Sequence, residues 1–178
     1  MEYFQIFDEA GAPLGLKRRD EVHRDGDWHK SAQVFLFNPV GELLLQKRAR
    51  DKDLYADLWD YSVGEHLRPD EAAICGALRG LREELGVSSL VAADLLKLGE
   101  RHVVLEGRGF RDREMQCAYR ATYDGVITPD SLEVAEVRWM DMATLHRWLD
   151  VWPSEFTPWF REQVASYGFL PEKCPHKR

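Results

Sequence analysis

The stretch Glu65–Val87, EHLRPDEAAICGALRGLREELGV, decides how the rest of the chain is read. From Asp70 onward the apolar residues Ile74, Leu78, Leu81 and Leu85 recur at steps of 4, 3 and 4, the stripe of an amphipathic helix. Asp70 is placed to cap its start and Gly86 its end. Glu83 and Glu84 fall within a turn of Gly80, and at about 100° per residue all three share a face opposite much of the stripe. Adjacent carboxylates on one face suit Mg²⁺, a hard cation that takes oxygen ligands and shares them with substrate phosphates. The plainer alternative is a solvated face, because exposed helical glutamates are common. Gly80 is the anomaly: a mid-helix glycine weakens a helix by about 1 kcal/mol relative to alanine, so its presence asks for another reason.

Working outward, YFQIFDEAGAPLG reads as a strand running into a turn, and RRDEVHRDGDWHK as a polar loop carrying His23 and His29. SAQVFLFNPVGELLLQKRA places two apolar runs around Asn38-Pro39-Val40-Gly41, a hairpin signal. LWDYSV is a short strand before the helix. Beyond the helix, LLKLGERHVVLE and REMQCAYRATYDG form two strands around a Gly/Arg-rich turn, and EVAEVRWMD forms another. MATLHRWLD and TPWFREQVASYG are helices, the second capped by Thr157, with Pro158 in its first turn and Gly168 as its stop. The aromatic-rich end, with Trp148, Trp152 and Trp159, reads as a core helix pair, the alternative being that it closes an apolar part of a substrate pocket. Residues 168–178 read as a frayed tail.

Composition sets the outer bounds. A chain of 178 residues is long enough for one sizeable core, and no Pro/Ser-rich or single-charge run divides it, so residues 1–178 read as one domain. Hydrophobic content of 44% with 31% charged residues is globular and excludes a disordered or collagen-like chain. A net charge of -7 argues against a nucleic-acid polymer as partner. No segment resembles a secretory leader or a membrane span, and three unpaired-looking cysteines suit a reducing compartment, so the expected location is cytoplasmic. Cys75 and Cys117 are expected to be small buried residues. A homodimer is compatible with the sequence. Strands, one central helix and two terminal helices suggest a mixed α/β sandwich.

The quoted stretch resembles the Nudix box, G-x5-E-x7-R-E-U-x-E-E-x-G-U with U apolar. Glu71, Arg79, Leu81, Glu83, Glu84, Gly86 and Val87 match at the required spacings. The resemblance implies the Nudix α/β/α sandwich, with a mixed sheet and the box as a loop-helix-loop. Two positions depart: Glu65 stands where the box begins with glycine, and Gly80 replaces a glutamate that serves family hydrolases as a metal ligand.

More of the chain, from the first strand to about Trp139, is similar to the Nudix branch that includes type I isopentenyl-diphosphate isomerase. GELLLQKRARDKDLYADLWDYSVGEH, the two upstream histidines and DREMQCAY carry the likeness. The isomerase holds one metal with three histidines and two carboxylates, which map here onto His23, His29, His66, Asp112 and Glu114. Such a donor set suits Zn²⁺ or Mn²⁺ better than Mg²⁺. Arg48 and Lys52 match residues that contact the diphosphate. The isomerase's catalytic cysteine, however, falls on Gly64, while its glutamate partner is kept as Glu114.

The resemblance therefore implies a divalent-metal hydrolase that cleaves the diphosphate linkage of a nucleoside diphosphate derivative or a related small diphosphate. Glu83 and Glu84 would be Mg²⁺ or Mn²⁺ ligands, Glu114 a base or further ligand, and Arg79 the residue that orients the glutamates. Without a carboxylate at position 80, weak metal binding and slow turnover are expected, unless Glu65 or Glu71 supplies one. The alternatives are an isomerase acting on prenyl diphosphates and a non-catalytic diphosphate binder.

Overall fold

The computed structural model describes residues 2–52, 54–107 and 110–169. Its strands are β1 (Tyr3–Phe7), β2 (Pro13–Arg18), β3 (Trp28–Phe37), β4 (Leu43–Arg48), β5 (Trp59–Asp60), β6 (Val63–His66), β7 (Leu96–Gly107), β8 (Phe110–Thr122) and β9 (Val134–Met140). Its α-helices are α1 (Arg19–Asp25), α2 (Ala73–Leu85), α3 (Met142–Val151) and α4 (Pro158–Ser166). All the strands join one mixed sheet: β3 pairs antiparallel with β1, β4 and β6 on one side and runs parallel to β8 on the other.

Both faces of β3 are covered, which explains why the strand is buried almost throughout. Ala32, Val34 and Leu36 pack with Ala77, Leu81 and Leu85 of α2. Phe35 and Phe37, one residue out of phase, pack with Leu145 and Leu149 of α3 and with Phe156, Trp159, Phe160 and Val164 at α4. Alternation along one strand thus builds two apolar layers, and the result is the expected α/β/α sandwich.

Several local expectations are corrected. The polar loop holds a short helix: α1 buries Val22 completely and stops at Gly26, whose φ of 75° is the left-handed conformation glycine favours. Helix α2 begins after Ala72, without a side-chain cap; Asp70 precedes it at a φ of 60° and does not cap it. Gly86 closes that helix as expected, with a φ of 70°. LWDYSV splits into β5 and the start of β6. Cys75 is exposed rather than buried, and Trp152 is exposed while Trp159 is buried. The expected tail begins too early, because Phe169 packs against the rings of Phe35 and Phe37 at 5.0 and 5.4 Å; residues 170–178 lie outside the described residues.

The face of α2 that carries Gly80 is also not solvated. Gly76, Gly80 and Glu84 are buried, and Glu83 alone of the expected acidic face is exposed. A Cβ on Gly80 would lie 2.5 Å from Val63 Cγ1 and 3.1 Å from Glu65 Cβ, so the helix approaches β6 closely enough that a side chain at position 80 would force Val63 to shift. Gly80→Ala is therefore expected to lose about 1–2 kcal/mol of stability in a urea titration, overpacking outweighing the gain in helix propensity. Val63→Ala in the same chain should recover part of that loss, whereas an unchanged or raised midpoint for Gly80→Ala alone would contradict the close packing.

Candidate active site

Strand register assembles the site. Along β3, His29, Ser31 and Gln33 alternate onto one face, and the parallel pairing sets His29 beside Glu114 and Ser31 beside Gln116 of β8. The antiparallel pairing with β6 sets Ser31 beside His66 and Gln33 beside Gly64. Helix α1 brings His23 to the same place. The ligating atoms of His23, His29 and His66 lie within 4.8 Å of one another, as do those of His29, Asp112 and Glu114. All five residues expected at the cage are thus brought together.

The chemistry of these atoms fits a bound cation. His29 Nε2 and Asp112 Oδ1 are buried without a hydrogen-bond partner and stand 3.5 Å apart, an arrangement that costs free energy unless something binds between them. His29 Nδ1 lies 3.1 Å from the Asp27 carbonyl oxygen; a proton on Nδ1 leaves the Nε2 lone pair facing the cage, as in metal-binding histidines held by an outer carbonyl. Burial, and then His66, hold the His29 imidazole down to about 3, so it is neutral at neutral pH. Burial, and then the neighbouring Glu114 charge, push Asp112 up. Glu114 is held low despite its burial, because His66 and Ser31 hydrogen-bond its carboxylate. Its Oε2 accepts from Ser31 Oγ at 2.5 Å and Gln116 Nε2 at 2.8 Å, and its Oε1 lies 3.2 Å from His66 Nε2. Phe4 of β1 closes the cage with an apolar ring, stacked on His29 at 5.1 Å and tilted against His66 at 4.7 Å.

A second chamber of about 440 Å³ adjoins the cage and is lined by Arg19, Arg48, Lys52, Glu65, Glu83 and Glu84, among others. Here the box residues take different parts. Arg79 holds Glu71 at 2.7 Å, Glu65 at 2.9 Å, Glu83 at 3.3 Å and the His66 carbonyl oxygen at 2.8 Å, which ties the box to β6. Glu83 also meets Arg68 and Arg82, each at 3.5 Å. Glu84 is buried and accepts from Gln46 Nε2 at 2.9 Å; burial, and then the nearby Glu65 charge, push its carboxyl up to about 8. Among the described residues, Glu83 and Glu84 join no group of three close ligand atoms. Glu65 stands against Gly80, so the two departures from the box are spatially one exchange: the carboxylate absent from the helix is present on the facing strand.

Arg48 and Lys52 both line this chamber, Lys52 paired with Glu133. Arg48 Nε donates to the Leu54 carbonyl oxygen at 3.1 Å, its guanidinium lies over Trp159 at 5.4 Å, and it faces Asp60 at 3.6 Å. Asp60 is completely buried and also accepts from Trp159 Nε1 at 2.8 Å and Thr157 Oγ1 at 3.0 Å. Burial pushes its carboxyl up to about 6 against those partners.

Arg19, Ser31, Gln33, Gln116, Tyr61 and Trp159 complete the walls of the inner cavity; no motif singles out the first five, and Trp159, expected in a core helix pair, is both buried in that core and a wall of the cavity. One signal for three of them was available. Polar residues at alternate positions of otherwise apolar strands, 29/31/33 and 112/114/116, mark a polar strip inside a buried sheet.

Comparison with known proteins identifies the family to which this fold belongs. The NUDIX domain family model matches residues 27–160. The chain is 32% identical over 164 residues to an isopentenyl-diphosphate Delta-isomerase of Burkholderia multivorans, covering 92% of this chain and 91% of that protein. An isopentenyl-diphosphate Delta-isomerase of Nocardia farcinica is 34% identical over 161 residues, covering 89% and 90%. Among solved structures, DR0079 from Deinococcus radiodurans superposes with a TM-score of 0.75 at 20% identity over 93% of this chain and 98% of that one. A MutT protein from Methanosarcina mazei gives 0.65 at 20% identity over 82% and 96%. The chain is a member of the Nudix superfamily, in the branch that resembles type I isopentenyl-diphosphate isomerase.

Proposed function

We propose that the protein hydrolyses the diphosphate linkage of a small organic diphosphate, with the phosphates in the outer chamber and the organic group in the inner cavity. What supports this most is the union of Arg19, Arg48 and Lys52 with Glu65, Glu83 and Glu84 in one chamber that opens onto the cage. Divalent cations, Mg²⁺ or Mn²⁺ beside the box and Zn²⁺ or Mn²⁺ in the cage of His23, His29, His66, Asp112 and Glu114, would neutralise phosphate oxygens and acidify bound water. The chain's own groups then divide the work. Arg48 and Lys52 hold the diphosphate by charge-assisted hydrogen bonds. Glu84, buried and bonded to Gln46, takes the proton of the attacking water in its ionised form, which its raised pKa of about 8 makes more populated as pH rises. Glu114, fixed by three hydrogen-bonding neighbours, stays ionised and serves to hold cationic charge. Arg79 positions Glu65 and Glu83, and Glu65 supplies the carboxylate that Gly80 does not.

Incubation with a panel of nucleoside and prenyl diphosphates in Mg²⁺ or Mn²⁺ tests this reading: phosphate or a monophosphate should be released by the wild type and not by Glu84→Gln. No cleavage above that control would sink it. A second reading, isomerisation of a prenyl diphosphate, is favoured by the isomerase relatives that match across nine-tenths of the chain. Against it stands Gly64, where a Cβ would lie 2.6 Å from the Tyr61 ring, so the expected thiol is absent and its space is filled. Deuterium exchange from solvent into isopentenyl diphosphate would revive that reading.

A further inference from the structure

Tyr61 occupies the ground next to Gly64. Its ring packs edge-on against Phe35 at 5.8 Å and Phe160 at 6.5 Å, while its hydroxyl lies 3.2 Å from where a Gly64 Cβ would stand. Tyr61, Gly64 and Gln33 all line the inner cavity. The Tyr61 hydroxyl meets no hydrogen-bond acceptor among the described residues. On the same wall, Gln33 gives its Nε2 to Ser31 Oγ at 2.7 Å, which leaves its Oε1 buried without a donor. Gln33 and Gly64 are register partners, so the Gln33 side chain and the space above Gly64 lie on one face of the sheet. The Tyr61 hydroxyl and the Gln33 side chain therefore border the same cavity around Gly64, Gln33 with an acceptor that no donor meets.

A hydroxyl group accepts one hydrogen bond while donating another and answers both. A bare hydrocarbon answers neither and leaves two desolvated polar groups unpaired, the condition under which a site discriminates most strongly. We propose that Tyr61 and Gln33 read a hydroxyl on the organic part of the substrate, so that the protein selects a short hydroxylated diphosphate over its hydrocarbon counterpart. The cavity is about 60 Å³, room for roughly four waters by the usual measure, which suits a chain of a few carbons. The inference rests on the diphosphate reading above. Neither group is altered covalently; they set which substrate fits.

Butyl and 4-hydroxybutyl methylenediphosphonate, which resist hydrolysis, separate the two claims when titrated calorimetrically in Mg²⁺. The wild type should bind the hydroxylated probe at least about ten-fold more tightly, the worth of one or two well-made hydrogen bonds. Tyr61→Phe removes one oxygen and keeps the ring contacts, and it should shrink that ratio to below about three-fold, as expected when one of the two bonds is lost. Equal affinities in the wild type, a preference for the butyl probe, or a ratio that Tyr61→Phe leaves unchanged would overturn the inference alone. Binding of neither probe would overturn it together with the diphosphate reading.

Discussion

If the cage holds a metal as proposed, Glu114→Gln should lower turnover by about 100-fold or more and release that metal, effects at or above those of losing an outer partner of a metal ligand. The substitution is nearly isosteric, and its carbonyl oxygen can still accept from Ser31 and Gln116, the two donors that now share Oε2. The amide nitrogen would face His66 Nε2, a contact a neutral imidazole can accept. Folding should therefore survive while the negative charge beside His29 and His66 is lost. Elemental analysis after dialysis, paired with a thermal melt, separates the two effects. Metal retained at wild-type stoichiometry with turnover within a few-fold would reduce the cage to a structural cluster.

Glu84→Gln should have opposite effects on activity and on stability. Removing the proposed base is expected to cost about 10²–10⁴ in turnover. The folded protein holds the Glu84 proton up to about pH 8, whereas the unfolded chain releases it near 4.5. Between those values the native state binds more protons than the unfolded state, so this group's contribution to stability falls as pH rises. A glutamine never ionises and keeps the bond from Gln46 in the amide-to-carbonyl sense. Metal-free Glu84→Gln should thus melt at a higher temperature than metal-free wild type at pH 8 and at a similar one near pH 4.5. The rise of kcat/KM with pH, carried in the wild type by the basic form of Glu84, should vanish from any residual activity. A wild-type melting curve that stays flat from pH 5 to 8 relative to Glu84→Gln would show that Glu84 is not buried as described.

Legibility from sequence followed the range of the contacts involved. Helix α2, the β3–β4 hairpin and α4 with its Thr157 cap were readable because each is specified by residues within a few positions of one another. Helix α1 was not, since seven residues bearing a single buried apolar side chain show no period; burial of Val22 under the sheet's edge and the Gly26 stop hold it instead. The cage residues were named by resemblance, yet the polar strip around them, Ser31, Gln33 and Gln116, depends on a parallel pairing between segments more than eighty residues apart. The meaning of Gly80 was equally hidden. As an isolated helical position it looks like a lost ligand; only the packing of α2 on β6 reveals that Glu65 stands in front of it. Glu83, by contrast, is committed to three arginines, of which the box pattern foretells only Arg79.

Asp60 has a consequence for substrate length. This one carboxylate faces the guanidinium of Arg48, at the phosphate end, and receives the indole N–H of Trp159, which walls the organic end. If the substrate lies as proposed, both of its ends are gauged from a common fixed post, and a longer molecule would have to displace Arg48 or Trp159 from Asp60. Thr157, the cap of α4, is tied to the same post, so the gauge is set only once the last helix has docked.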